Sequence, residues 1–212
     1  MHPAKPPLIL ASRSPRRLEL LRLAGCEPLV AVAAVDEEAL TREFLGPLFY
    51  AKSITPDRAA GLTACLAARK AAAVRPRHPD AVILGADTLV WLDGRILGQP
   101  VDDADAVRML RALSGRSHVV HTAVTILYPA AAGRADWRFE SATEVDFWPL
   151  TPVQERLIDA YVADGLSRGK AGAYGIQDRG GLFVRAIRGD YGTVVGLPLA
   201  AVMHELLAAG CV

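Results

Sequence analysis

Apolar residues follow different spacings along the chain, and each spacing predicts a strand or a helix. Continuous apolar runs and alternating apolar and polar residues predict strands, whereas apolar residues three and four positions apart predict helices. The predicted strands cover residues 8–11, 29–35, 118–128, 137–148 and 182–187, with a further buried strand formed by 81–84 and 88–92. One predicted helix begins after Ser14. Four more predicted helices cover residues 57–74, 102–113, 152–162 and 198–207. This order predicts a single α/β domain over residues 1–212, whose sheet mixes parallel and antiparallel pairs.

Turn-forming residues predict where several elements end. Ser14 is a good N-cap residue and Pro15 suits the first helical position, so a helix is expected to start there. Residues 41–58 are predicted to be irregular, because glycine and proline interrupt them, and Asp57 is the predicted cap of the next helix. The segment 129–136 is predicted to be an exposed loop tip.

Composition and charge exclude several classes of protein. Hydrophobic residues make up 51% of the chain, enough for a sizeable core, and the net charge of +1 gives no electrostatic footprint for nucleic acid or an anionic membrane. Three widely spaced cysteines, Cys26, Cys65 and Cys211, predict reduced thiols rather than disulfides or a zinc site. The first apolar stretch is too short for a signal peptide and no run reaches membrane-spanning length, so a cytoplasmic location is expected.

A basic cluster follows the first predicted strand, where Ser12, Ser14, Arg16 and Arg17 surround a helix start. Unpaired backbone N–H groups, the positive end of the helix dipole and guanidinium groups together bind phosphate well. The local residues alone are equally typical of arginines on a solvated first turn. The position after a buried strand favours a phosphate site, because ligands of α/β proteins bind beyond the C-terminal ends of strands.

Acidic residues follow or interrupt two of the predicted strands. Asp36 and Glu37 end the second strand, where a charged pair is most often simply solvated. Asp87 lies between apolar runs, at the far end of the strand that begins at residue 81. Because an unpaired buried carboxylate is costly, Asp87 is predicted either to pair with a cation or to take part in chemistry. Carboxylates at these places could hold Mg²⁺ or Mn²⁺ and activate water.

Other candidate residues have a simple structural explanation beside the functional one. Lys70 lies in an Ala-rich helix, where a surface lysine is the simpler expectation. Gln177 ends a glycine-containing loop at 170–177, which is either an ordinary turn or a place where a ligand approaches closely and the amide contacts a base edge. His118 and His121 have no metal-binding spacing and are predicted to be core or surface histidines.

Together, these segments resemble the Maf family of nucleotide pyrophosphatases. The opening and closing motifs are the most specific, and the matches occur in order through nearly the whole chain. They are LILASRSPRRLELL at 8–21, VDEE at 35–38, LAARKA at 66–71, LGADTLV at 84–90, LGQP at 97–100, ADAVRMLRALSGRSHVVHTAV at 104–124, KAGAYGIQDRGG at 170–181 and GDYGTVVGLPL at 189–199.

The resemblance implies a fold and an activity. The expected fold is α/β, with a mixed, elongated central sheet flanked by helices and two intimate lobes around a deep cleft, related to inosine triphosphate pyrophosphatases. The expected reaction is hydrolysis of the α–β phosphoanhydride of a nucleoside triphosphate with a divalent metal, Mg²⁺ or Mn²⁺. The expected partner is that nucleotide, not a nucleic acid polymer or a membrane, and a homodimer is a family-level expectation.

The resemblance also implies roles for individual residues. Asp87 matches the proton acceptor that activates water, and Glu37 and Lys70 match further active-site positions. Glu37 and Asp87 are the expected metal ligands. The implied triphosphate contacts are Ser12, Ser14, Arg16 and Arg17, and the positions linked to substrate choice are Arg17, Thr88 and Gln177.

The loop AGAYGIQ at 171–177 is similar to the branch of the family that hydrolyses dTTP and UTP. A pyrimidine triphosphate is therefore the expected substrate, with CTP or a modified pyrimidine within reach. Two alternatives stay open at this point: hydrolysis of 7-methyl-GTP or a non-standard purine triphosphate, and a nucleotide-binding regulator of cell division with weak or no turnover.

Three features depart from the family pattern. Gln99 replaces a lysine expected to meet phosphate charge, a loss for which Arg95 or Lys70 could compensate, and Thr193 stands where asparagine is common. The stretch 42–60 is longer than usual. It contains an apolar group expected to act as a lid or a dimer contact: Phe44, Leu45, Leu48, Phe49 and Tyr50.

Overall fold

A computed structural model describes residues 5–50 and 53–212, except for the side chain of Tyr50. Within these ranges one seven-stranded mixed sheet has the order β2-β1-β3-β5-β6-β7, with β4 paired to β3. The parallel pairs are β1 with β2 and β1 with β3, and the other pairs are antiparallel. The strands are β1 (Leu8–Leu10), β2 (Leu29–Val30), β3 (Val82–Leu92), β4 (Arg95–Leu97), β5 (Ser117–Leu127), β6 (Trp137–Phe147) and β7 (Val184–Arg188). The expected mixed α/β fold is confirmed.

Helices cover both faces of the sheet. They are α1 (Pro15–Leu23), α2 (Glu37–Leu45), α3 (Pro56–Val74), α4 (Asp103–Leu113), α5 (Pro152–Ala163), α6 (Tyr191–Val195) and α7 (Leu199–Ala208). Side chains of β3 alternate between the faces, as the pleat of a strand requires. Ile83 and Leu89 pack on the side of α3, whereas Leu84 and Val90 pack on the opposite side.

Two separate core clusters cover that opposite side. One contains residues of α1 and α7, packed over β1 and the first half of β3. The other contains residues of α4 and α5, packed over the second half of β3 and over β6. The space between the clusters lies over the middle of β3.

The middle of β3 also has an open edge. β5 pairs with one edge of β3 from Ile83 to Trp91. β1 and β4 share the other edge, where β1 pairs with residues 82–84 and β4 with residues 90–92. The segment 85–89 therefore has no strand partner on that edge among the described residues, so side chains from both faces of β3 can reach one opening.

Several sequence predictions were wrong in detail. The predicted strand 29–35 pairs only at Leu29–Val30, because β1 offers three residues for pairing. The stretch 41–58, predicted to be irregular, contains most of α2 and a 3-10 helix at Gly46–Tyr50. Thr55, rather than Asp57, caps α3, since its hydroxyl accepts from the N–H of Arg58.

The apolar group at 44–50 packs against the helix that follows it. Leu45 is 3% exposed, and Phe44 and Phe49 pack on the cluster that includes Leu62 and Leu66 of α3. This packing places Phe44, Leu45 and Phe49 against the core, whereas Leu48 is 39% exposed and the side chain of Tyr50 lies outside the described part. The expected lid or dimer contact stays a prediction. No helix in the described ranges has the length and apolarity needed to cross a membrane.

Gly85 allows α3 to lie directly on β3, and its replacement by alanine is expected to destabilise the fold. A Cβ at this position would lie 2.5 Å from Ala67 O and 2.7 Å from Ala71 N, which are backbone atoms that cannot rotate away. We expect a loss of about 1–3 kcal/mol in the free energy of unfolding, the usual range for overpacking, measured by denaturant unfolding. The matched control is Gly98→Ala, where nothing lies within 4 Å of the added Cβ. Equal stability of the two variants would contradict this account.

Candidate active site

A cleft of about 840 Å³ opens beside the unpaired edge of β3. This volume is within the range of small-molecule sites, roughly 300–1,000 Å³. Its walls come from the β1–α1 turn, the start of α2, the middle of α3, β3 and the loop that follows α5. The cleft is lined by all the residues for which the resemblance implies a catalytic, phosphate-binding or specificity role: Ser12, Ser14, Arg16, Arg17, Glu37, Lys70, Asp87, Thr88 and Gln177.

The first wall is the N-terminus of α1. Ser14 is the N-cap residue, as predicted, but its side chain does not cap the helix. Instead, the backbone N–H of Ser14 donates to Ser12 Oγ over 3.1 Å. Ser14 and Arg16 are partly buried at the cleft wall. A helix start with no side-chain cap leaves N–H groups of the first turn for an anion, which the dipole also attracts.

Arg17 lies beneath this wall and joins three parts of the fold. Its guanidinium donates from Nε to Gly196 O at 2.8 Å, to Ser12 Oγ at 3.1 Å and to Thr88 Oγ1 at 2.9 Å. Burial lowers the pKa of Arg17, although Asp87 opposes the shift, and arginine stays charged in proteins. Three of its five N–H groups thus bind the protein itself. Arg17 holds Ser12 and Thr88 in place at the cleft wall.

A buried ion pair lies at the centre of the cleft. Lys70 Nζ is 2.6 Å from Asp87 Oδ1 and 3.0 Å from Glu37 Oε1, and the side chains of Lys70 and Asp87 are only 12% and 10% exposed. Burial raises the pKa of Asp87, while the charges of Lys70 and Arg17 oppose that rise. A carboxylate with a raised pKa is a stronger base, and so a better proton acceptor, than a carboxylate with the usual pKa. The simple expectation of a surface position for Lys70 was wrong.

The supporting elements differ from those predicted. Asp87 lies in the middle of β3, opposite Ala123 of β5, and not at the end of a strand. Glu37 begins α2 instead of following a strand, because Asp36 caps that helix by accepting from the N–H of Ala39 at 2.9 Å. The first turn of a helix favours a negative side chain, so this position suits the Glu37 carboxylate.

The arrangement fits a divalent cation that takes some of its ligands from the protein and the others from a substrate. No group of three or more His, Cys, Asp or Glu residues in the described ranges could hold a metal by itself. Two carboxylates, from Glu37 and Asp87, nevertheless converge on the ammonium group of Lys70, so the place favours positive charge. Mg²⁺ commonly binds through one or two carboxylates, with substrate phosphates and water completing its ligands.

A hydrogen-bond network of Lys170, Tyr161 and Asp178, here named the Lys170 latch, holds the loop that carries Gln177. Lys170, 8% exposed, donates to Asp178 Oδ2 at 2.5 Å and to the hydroxyl of Tyr161 at 3.3 Å. The Tyr161 hydroxyl donates in turn to Asp178 Oδ1 and accepts from the N–H of Gly175. Gln177 is exposed at the cleft. Sequence reasoning missed this latch, although a lysine and an aspartate at the two ends of a glycine-rich loop could have suggested it.

The two candidate histidines belong to the core, as predicted. His118 Nε2 lies 2.9 Å from the Tyr174 hydroxyl, and burial lowers the pKa of His118 to about 3, so its ring is neutral. His121 is also buried, and burial lowers its pKa. Cys26 and Cys211 are buried free thiols, and Cys65 is partly buried.

Comparison with known proteins finds similar chains by sequence and by structure. The family model described as Maf-like protein matches residues 7–209. The chain belongs to the Maf-like family. It is 46% identical to the dTTP/UTP pyrophosphatase of Bacillus velezensis, over 94% of each chain. It is 45% identical to the enzyme of that name from Bacillus mycoides, over 94% of this chain and 93% of that one. A HAM1 protein from Coxiella burnetii aligns over 96% of this chain and 99% of its own, with a TM-score of 0.45 and 15% identity.

Two departures of this Maf-like chain have distinct positions. Gln99 is exposed on the cleft wall, whereas Arg95, a candidate to compensate for the missing lysine, is not among the lining residues. Thr193 is buried, and its hydroxyl lies 2.7 Å from Ser141 Oγ and 2.8 Å from Asp190 Oδ2. Of the two proposed compensating groups, only Lys70 faces the cleft.

Proposed function

We propose that this Maf-like protein is a hydrolase that cleaves the α–β phosphoanhydride of dTTP and UTP, giving the nucleoside monophosphate and pyrophosphate. The observation that carries the proposal is the buried Asp87–Lys70 pair, which lies in one cleft with the arginine-bearing start of α1. The names of the Bacillus relatives support the pyrimidine substrate. A cytoplasmic location and a homodimer stay predictions from the sequence.

The triphosphate binds at the start of α1 and beside Lys70. Ser14 and Arg16 line the cleft at that helix start, where backbone N–H groups attract phosphate oxygens. Lys70 supplies an ammonium group from α3, which packs on the face of β3 opposite to α1. These groups hold the nucleotide so that the reacting atoms are aligned, which is the main source of catalysis in phosphoryl transfer.

Glu37 and Asp87 would hold the Mg²⁺ or Mn²⁺ ion, together with phosphate oxygens. Such an ion would neutralise the negative charge that develops on the phosphates during the reaction. Glu37 is the more exposed ligand, since its side chain is 47% exposed and lies at the rim of the cleft.

Asp87 acts as the proton acceptor. It takes a proton from water as the water oxygen bonds to phosphorus, and the bridging oxygen leaves with the departing phosphate fragment. Burial raises the pKa of Asp87, which makes the carboxylate a stronger base for this transfer, while the charge of Lys70 opposes that rise.

Thr88 and Gln177 contact the base. Both line the cleft, and the Lys170 latch fixes the loop on which Gln177 lies. An amide can donate and accept, which suits the mixed edge of a pyrimidine.

The test is pyrophosphate release by the purified protein from dTTP, UTP, CTP, 7-methyl-GTP and ITP, with Mg²⁺, with Mn²⁺ and with EDTA. We expect turnover of dTTP and UTP that EDTA abolishes. Turnover of 7-methyl-GTP or ITP alone would keep the chemistry but replace the substrate. Nucleotide binding without turnover would favour the regulatory alternative and point to Gln99.

Restoring the family lysine is expected to raise activity. In Gln99→Lys, an ammonium group at the cleft wall would meet phosphate charge, and a charge-assisted contact contributes roughly 1–2 kcal/mol more than a neutral one. We therefore expect kcat/KM for UTP to rise about tenfold. Gln99→Met, which removes the amide without adding charge, is the matched control and should not rise. Equal values for the lysine and methionine variants would contradict a phosphate contact at this position.

A further inference from the structure

Tyr161 of α5 is buried behind the loop that forms one wall of the cleft. Its side chain is 2% exposed, and its hydroxyl oxygen lies 3.1 Å from the backbone nitrogen of Gly175. Residues 174–177 of the loop line the cleft, whereas Tyr161 does not. The hydroxyl of Tyr161 therefore contacts this wall from behind.

The hydrogen bonds of this hydroxyl are complete. A backbone N–H and an ammonium group can only donate, and an ionised carboxylate can only accept. The Tyr161 oxygen therefore accepts from Gly175 at 3.1 Å and from Lys170 at 3.3 Å. Its proton goes to Asp178 Oδ1 at 2.9 Å. Both lone pairs and the single proton are used, so Tyr161 is a fixed point of the Lys170 latch.

Lys170 also uses all of its donors on protein atoms. Its three N–H groups meet Asp178 Oδ2, the Tyr161 hydroxyl and Leu166 O. A buried polar network in which every group is satisfied makes a structure rigid. The loop is thus held in one arrangement before a ligand enters the cleft.

The backbone of Gly175 is packed closely on both sides. A Cβ built on Gly175 would lie 2.9 Å from Asp178 Oδ2, and one built on Gly180 would lie 2.6 Å from Gly175 O. The N–H of Asp178 also donates to Gly175 O over 3.3 Å. Removing the Tyr161 hydroxyl would leave the buried N–H of Gly175 unpaired, which is unfavourable, so the loop would have to shift to bring this N–H to water.

We propose that Tyr161 is a positioning residue that holds the loop at 174–177 ready for the nucleoside part of the substrate. The inference rests on the proposed function, in which Gln177 contacts the base and the start of α1 holds the triphosphate. A protein whose binding-competent conformation is only partly populated binds with lower apparent affinity. Once the nucleotide is bound, the loop is ordered with or without the hydroxyl. Tyr161 therefore affects binding of the nucleotide and not the chemical step.

The test compares Tyr161→Phe with the wild type. Phenylalanine keeps the ring, which packs edge-on against Phe183, and removes only the hydroxyl. We expect KM for UTP to rise about tenfold with kcat unchanged, the size of effect that one unmade hydrogen bond to a buried donor produces. The inhibition constant of inorganic tripolyphosphate, which has no nucleoside, should stay at the wild-type value.

Tyr128→Phe controls for a merely structural role of a buried hydroxyl. Tyr128 is 6% exposed and donates to Glu205 at 2.6 Å, but it lies outside the cleft lining. This variant should lose stability and keep the wild-type KM, because a smaller folded fraction lowers the apparent kcat alone.

Several outcomes would overturn the proposal. They are an unchanged KM for UTP in Tyr161→Phe, a fall in kcat without a rise in KM, an equal rise in KM and in the tripolyphosphate inhibition constant, or an equal rise in KM in Tyr128→Phe. Absence of turnover with every nucleotide would instead remove the proposed function. Dissociation constants for UTP and tripolyphosphate, measured with Mg²⁺ in the wild type and both variants, would then decide the inference in the same way.

Discussion

Replacing Asp87 with asparagine is expected to lower kcat by about 10²–10⁴, the usual effect of losing a general base. The amide has the shape of the carboxylate but cannot accept the proton of water. The protein should stay folded, because Lys70 keeps its 3.0 Å contact with Glu37. A catalytic loss without loss of structure is the result that separates chemistry from packing at this position.

The same variant has an expected signature in stability. Burial raises the pKa of Asp87, so the folded protein holds this proton more tightly than the unfolded chain does. The contribution of Asp87 to stability is then present at low pH and is lost as pH rises through the raised pKa. The asparagine side chain of the variant does not titrate, so the stability of Asp87→Asn relative to the wild type should increase as pH rises through that range.

Single-turnover kinetics and thermal unfolding at several pH values check both expectations. The matched control is Glu38→Gln, since Glu38 lies next to Glu37 on α2 but pairs with Arg42 and does not line the cleft. It should keep full turnover. Near-normal turnover in Asp87→Asn would remove Asp87 from its role as the proton acceptor.

The regular elements were largely predictable from the sequence, because their apolar period and their turn residues agree. The errors occurred where local signals allow two interpretations. Gly46 and Pro47 suggested an irregular segment, but they follow α2 and end it. Pro56 occupies the first helical position, and this makes Thr55 the cap in place of Asp57.

The sequence also indicated which residues line one cleft, but it did not indicate how they bond to one another. Motifs placed Arg17 and Lys70 near phosphate, yet no local pattern shows that Arg17 is buried beneath Thr88 or that α3 delivers Lys70 to Asp87. Those contacts depend on how α1 and α3 pack on the sheet, and the second depends on Gly85, which permits that close packing. Sequence spacing carries no information about such distances, since the partners of Arg17 and Lys70 come from distant segments.

Replacing Lys70 with methionine is expected to lower kcat at neutral pH by about 10²-fold and to move the acidic limb of the pH–rate profile to higher pH. Methionine keeps the length of the side chain and removes its charge. The charge of Lys70 opposes the rise in the pKa of Asp87 that burial causes, so its loss lets that pKa rise further. More of Asp87 is then protonated at neutral pH, and a protonated carboxyl cannot accept a proton from water.

The shape of the profile distinguishes two roles for Lys70. If Lys70 tunes Asp87, activity should recover in part at alkaline pH, where the carboxyl ionises despite its burial. If Lys70 only grips phosphate, KM should rise while the acidic limb stays where it is in the wild type. The matched control is Arg69→Met, which removes the neighbouring exposed cation of α3, outside the cleft lining. An unchanged acidic limb in Lys70→Met would show that Arg17 alone, the other cation that lowers the pKa of Asp87, is enough to keep the base ionised.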